Sequence, residues 1–170
     1  MDTDFINIKK ILLVEDDPRD AELTLAALEE HHLANKVEVV RDGAQALDYL
    51  YRRGKFQTRA GGNPILVLLD LKMPKVNGLE VLKIIKADEQ LKVIPVVVLS
   101  SSREAPDLIG CYQHGVNAYV VKPVDFAEFM QAVQQLGVFW AAVNEPPPGT
   151  RKEETGFKTA TERLPGKENT

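Results

Sequence analysis

The chain has 170 residues, of which 44% are hydrophobic, enough for one packed domain with a short excess. Its formal net charge of −4 argues against a broad nucleic-acid-binding surface. The lone Cys111 excludes an internal disulfide, and no apolar run suits a signal peptide or a membrane span, so a soluble, cytoplasmic protein is expected.

The first apolar run predicts a strand over 10–14 and closes on the acidic cluster Glu15-Asp16-Asp17. Pro18 suits the first turn of a helix over 19–31, with Ala21, Leu25 and Leu28 as its inward stripe. A strand over 37–41 and a helix over 44–53 follow. Residues 52–63 then form a long basic, glycine-containing connection, for which a functional loop and an inert excursion both stay open. The run over 65–70 is short and wholly apolar until Asp70, as expected of a parallel strand buried on both faces. Turn-prone residues lead from it into a helix over 79–89. A strand over 95–100 ends on Ser100, a helix covers 105–114, and a strand over 118–121 is followed by Lys122. A fifth helix starts after Val124, where Asp125 and Glu128 have capping-box spacing. His31, His32 and His114 have no metal-ligand spacing and are expected at the surface or at helix ends.

Five alternations of strand and helix predict an α/β fold, a doubly wound parallel sheet with helices on both faces. The domain is expected over 8–143. From 144 the sequence turns proline-rich, and 145–170 carries five basic and five acidic side chains without apolar periodicity, predicting a disordered tail.

In such a sheet the C-terminal strand ends share one rim, where ligands bind. Glu15, Asp16, Asp70, Ser100 and Lys122 all stand at such ends. Carboxylates brought together repel unless a cation or proton intervenes, and hard oxygen donors suit Mg²⁺. An ammonium and a hydroxyl nearby could hold phosphoryl oxygens while the Asp70 carboxylate acts as nucleophile and becomes an acyl phosphate.

Val14-Glu15-Asp16-Asp17-Pro18, Leu69-Asp70-Leu71-Lys72-Met73-Pro74 with Gly78, Val98-Leu99-Ser100-Ser101 and Tyr119-Val120-Val121-Lys122-Pro123 stand in that order, with Ser100 and Lys122 lying 30 and 52 positions after Asp70. Together they resemble the receiver domain of two-component response regulators. The resemblance implies a flavodoxin-like five-stranded sheet in the order 2-1-3-4-5. It implies Asp70 as phosphoacceptor, Asp16 as direct Mg²⁺ ligand, Glu15 as a ligand through water, and the Lys72 backbone carbonyl as third protein ligand. Ser100 matches the hydroxyl that closes on the phosphoryl group, Lys122 the lysine beside it, and Tyr119 the aromatic switch. Pro123 is expected after a cis peptide bond. Asp17 lies one position past the metal pair and is read as a surface or helix-start residue.

The long connection before the third strand and the helix end 133–140 resemble the small response regulators paired with bacterial and cyanobacterial phytochrome kinases. The short tail, without the ordered length a DNA-binding module needs, predicts a stand-alone receiver with no DNA-binding output. The likeness implies a sensor histidine kinase as partner and a homodimer through the helix 4–strand 5–helix 5 face and the C-terminal extension. Phe129, Val133, Leu136, Trp140 and Val143 recur at helical spacing, which also fits a helix packed on its own domain. Phe139 and Trp140 lie past the length a minimal receiver needs, and aromatic anchors of this kind are enriched at interfaces. Phe129, Val133, Leu136, Phe139 and Trp140 are therefore the expected partner surface.

Two rival chemistries fit less well. A dehalogenase-type phosphotransferase would carry a second aspartate two residues after the nucleophile, where Lys72 stands. A flavodoxin-type carrier would have a Ser/Thr/Gly-rich phosphate loop after the first strand, where acidic residues would repel the cofactor phosphate. A degenerate receiver that only binds partners is the serious alternative, yet every reactive position is occupied by the required residue type.

Overall fold

The computed structural model describes residues 10–148 except Ala60, together with Thr150. The expectations for 8–9 and for 151–170 lie outside the described residues. Five parallel strands, β1 (Ile11–Val14), β2 (Val37–Val40), β3 (Leu66–Leu69), β4 (Val96–Ser100) and β5 (Ala118–Val121), form one sheet in the order β2-β1-β3-β4-β5. They alternate with α1 (Pro18–Glu29), α2 (Gly43–Tyr51), α3 (Gly78–Ala87), α4 (Ala105–Gln113) and α5 (Phe126–Val138).

Side-chain alternation along the central strands feeds two cores. Val67 and Leu69 of β3 join Leu12, Val14, Leu82 and Ile85 on the α2–α3–α4 side. Leu66 and Leu68 point the other way, with Ile11, Leu13 and Val97. β1, β3 and β4 are buried throughout, which explains their unbroken apolar sequences, whereas β5 at the sheet edge is only half-buried.

Local signals fix where the helices start. Asp17 caps α1 by accepting from the Arg19 and Asp20 amides, with Pro18 as first helical residue. Asp42, Asn77 and Asp125 cap α2, α3 and α5 in the same way. The inward face of α1 is Ala21, Thr24, Ala27 and Leu28, while Leu25, expected there, is half-buried. His31 and His32 are exposed and His114 caps the end of α4, as expected.

The basic connection folds back on α2. Phe56 is buried edge-on against Tyr49, with ring centroids 5.1 Å apart. The Arg59 guanidinium lies 4.3 Å from the Tyr49 ring centroid and donates to the Tyr49 and Gly62 carbonyls at 2.7 and 3.0 Å.

α5 crosses α1 closely at Gly137, where an added Cβ would lie 2.5 Å from the Leu28 side chain. Beyond α5 the chain widens into a π-helical segment, Phe139–Val143. Phe129 and Val133 are buried against Ala27, Leu28 and Leu99, so they belong to this core and not to the expected partner surface. Their helical spacing places them on the stripe that faces α1 and the sheet. Leu136 and Trp140 are partly buried against the same side of the sheet, and only Phe139 of the five is exposed. The peptide bonds of the described residues are all trans, so the cis bond expected before Pro123 is absent. Trans is the lower-energy isomer even for an X–Pro bond.

Candidate functional site

Three backbone hydrogen bonds extend the strand pairing just past the rim and set the side chains there side by side. Glu15 N–H donates to the Val40 carbonyl at 3.1 Å, Asp70 N–H to the Val14 carbonyl at 3.0 Å, and Lys122 N–H to the Ser100 carbonyl at 2.8 Å. Gly78, the first residue of α3, closes the rim from the other side. A Cβ there would lie 2.1 Å from the Asp70 carbonyl oxygen, so only glycine allows this approach.

Carboxylate oxygens of Glu15, Asp16 and Asp70 lie within 4.8 Å of one another. Glu15 and Asp70 are buried, and Asp16 is half-buried. Lys122 Nζ donates to Glu15 Oε2 at 2.7 Å and to Asp20 Oδ2 at 2.8 Å, and stands 4.0 Å from Asp70 Oδ1. Three carboxylates thus gather around one ammonium, with Asp16 beside two of them.

The electrostatic consequences follow from burial. Loss of solvent raises the Glu15 carboxyl to about 7, against the hydrogen bond from Lys122, and the Asp70 charge pushes the same way. Burial likewise raises Asp70, opposed by Lys122 and by the Lys72 amide that donates to it. Burial works against the Lys122 ammonium, but Asp20, Glu15 and Asp70 outweigh it and hold its pKa above the ordinary value. A clustered, dehydrated set of carboxylates suits a small hard cation, which relieves the repulsion among them.

Ser100 is fully buried at the end of β4, and its hydroxyl accepts from the Ser102 amide at 3.2 Å. Tyr119, half-buried on β5, donates its hydroxyl to the Ser102 carbonyl at 2.9 Å. Burial raises the Tyr119 hydroxyl's pKa. The Lys72 side chain is exposed beside the site.

Glu15, Asp16, Asp70 and Lys122 are therefore gathered into one cluster, with Ser100 and Tyr119 joined to each other through Ser102. Asp20 was missed by sequence reasoning. With Pro18 as first helical residue, Asp20 falls in the opening turn of α1, directly after the acidic strand end, and that placement was the available signal. Ser102 had no signal beyond its place in a serine-rich loop.

The family model for the response regulator receiver domain matches residues 11–134. The bacteriophytochrome response regulator RtBRR is 62% identical, with 84% of this chain and 86% of that chain covered and a TM-score of 0.66. The phosphorylated cyanobacterial phytochrome response regulator RcpA is 40% identical over 82% of this chain and 98% of that chain, with a TM-score of 0.77. Response regulator Rcp1 of Synechocystis is 38% identical over 132 residues, 78% of this chain and 88% of the relative. The structure of its Mn²⁺-bound form covers 82% of this chain and 99% of that chain at 37% identity, with a TM-score of 0.76. The chain belongs to the response regulator receiver domain family of two-component signalling.

Proposed function

We propose that this protein accepts a phosphoryl group on Asp70 from a sensor histidine kinase and signals through the resulting conformational change. The observation that carries this reading is the placing of Lys122 between Glu15 and Asp70, at 2.7 and 4.0 Å. An ammonium there neutralises charge arriving on the Asp70 carboxylate, the main catalytic need of phosphoryl transfer. An Asp70 oxygen attacks phosphorus as the bond to the donor breaks. With a phosphohistidine donor, the imidazole nitrogen keeps the bonding pair and takes up a proton, and the product is an acyl phosphate.

Glu15, Asp16 and Asp70 would hold Mg²⁺, with the Lys72 backbone carbonyl as a further ligand. When bound, the ion supplies positive charge to the phosphoryl oxygens. Ser100 closes on the phosphoryl group and Tyr119 follows it. Phosphorylation adds roughly two negative charges and three strong acceptors, a local change sufficient to bias a bistable surface.

The likeness to RtBRR and RcpA supports a phytochrome-type histidine kinase as donor. Output through a homodimer on the α4–β5–α5 face and the segment after α5 is part of the same reading. Exposed Ile109, Tyr112, Phe126 and Phe139 support it in place of Phe129 and Val133. The receiver over 8–143 with a separate tail, a cytoplasmic location, and output without DNA binding complete the proposal.

Incubation with acetyl phosphate tests it by intact mass. One added phosphoryl group in Mg²⁺, lost in excess chelator, is expected. Equal labelling with and without the chelator would contradict the metal's part. No labelling under either condition would favour the degenerate receiver.

A further inference from the structure

Ser102 is a buried serine in the β4–α4 loop, 4% exposed, and every polar group it carries is engaged. Its amide donates to Ser100 Oγ at 3.2 Å. Its carbonyl accepts the Tyr119 hydroxyl at 2.9 Å. Its own hydroxyl donates to the Asp107 carboxylate and accepts the Glu104 amide at 3.3 Å. Glu104 is the N-cap of α4 and caps nothing with its own side chain. The helix start is therefore tied down from outside by Ser102, through Glu104 and through Asp107 in the first turn.

One residue thus joins the buried hydroxyl at the end of β4, the aromatic on β5 and the opening turn of α4. Ser100 Oγ cannot turn towards a group on Asp70 without disturbing the Ser102 amide bonded to it. Ser102 cannot shift without moving Asp107 or breaking a half-buried charge-assisted hydrogen bond. We propose that Ser102 is the positioning residue that makes the first turn of α4 move with Ser100, its hydroxyl gripping Asp107. This rests on Asp70 as phosphoacceptor.

The experiment separates the two by reading two channels on the full chain. Intact mass reports the phosphoryl group after treatment with acetyl phosphate and Mg²⁺, and amide hydrogen exchange reports α4. In wild type, exchange in α4 is expected to change roughly threefold to tenfold on phosphorylation, the scale of one hydrogen bond. Ser102→Ala should take up the phosphoryl group as fully as wild type yet lose most of the α4 response, and Ser102→Thr should restore it. Asp107→Ala, at a half-buried surface position, should behave as Ser102→Ala does and decides the matter if Ser102→Ala does not fold. A full α4 response in Ser102→Ala or in Asp107→Ala overturns the coupling. Absence of the phosphoryl group from wild type, seen by mass alone, overturns the phosphoacceptor reading and the coupling with it.

Discussion

Asp20, in the first turn of α1, holds Lys122, beyond the end of β5, at 2.8 Å, closer than Lys122 stands to Asp70. The lysine thus spans the site from the helix to the rim. Its ammonium is shared among three carboxylates, and a phosphoryl group at Asp70 would compete for it with Asp20 and Glu15.

Removal of either partner of this pair should have unequal effects. Asp20 is one-third exposed, so Asp20→Asn should cost no more than about 1 kcal/mol of stability and leave acyl phosphate formation intact. Lys122→Ala leaves Glu15 and Asp70 facing each other without the ammonium, and phosphorylation should slow by about tenfold or more. Denaturant melts and timed labelling with acetyl phosphate measure both. A larger loss of labelling in Asp20→Asn than in Lys122→Ala would contradict this arrangement.

The carboxylate cluster makes stability depend on pH. Burial raises Glu15 to about 7 and raises Asp70, while in the unfolded chain both titrate in the ordinary carboxylate range. Between those ranges the folded state binds more protons than the unfolded one, so this contribution falls as pH rises through about 7. In chelator, the melting temperature of wild type relative to Glu15→Gln should therefore be higher at about pH 5 than at about pH 8. Divalent cation at the higher pH should recover the difference. A wild-type advantage that grows with pH in chelator would contradict the cluster as described.

Gly78 is a stability and site position at once. Gly78→Ala would place a methyl group 2.1 Å from the Asp70 carbonyl oxygen, forcing the 71–77 loop away from the rim. The expected cost is about 1–3 kcal/mol, as for other overpacked sites, with slower labelling at Asp70. A variant with unchanged melting and labelling would show that the loop has room it is not expected to have.

The two aromatics of the C-terminal helix should separate core from surface. Phe129→Ala empties a buried site and should cost about 3–5 kcal/mol. Phe139, 48% exposed, should cost less than about 0.5 kcal/mol when changed to Ser, so any fall in mass by light scattering would report association. Equal destabilisation by both changes would contradict their assignment.

Much of this was legible in the residues themselves. The unbroken apolar runs at Ile11–Val14 and Leu66–Leu69 mark strands covered on both faces, and their acidic ends place Glu15 and Asp70 at one rim. Asp17, Pro18 and Asp125 mark helix starts because capping is local chemistry. What stayed hidden depends on three-dimensional packing. Helical spacing shows that Phe129, Val133, Leu136, Trp140 and Val143 recur on α5 and its extension, but not which of them meet α1, a question settled by the close crossing at Gly137. Asp20 joins the site only because α1 begins over the end of β1. The links from Ser102 to Ser100 and Tyr119 use its backbone amide and carbonyl, which no side-chain pattern can announce.

The most direct measurement is borohydride reduction of the acetyl-phosphate-treated protein followed by peptide mapping, in wild type and Asp70→Asn. Reduction of an aspartyl phosphate leaves homoserine, and this account predicts it at position 70 in wild type and nowhere in the variant. Homoserine at another carboxylate, or a phosphoryl group retained in Asp70→Asn, would contradict Asp70 as the acceptor.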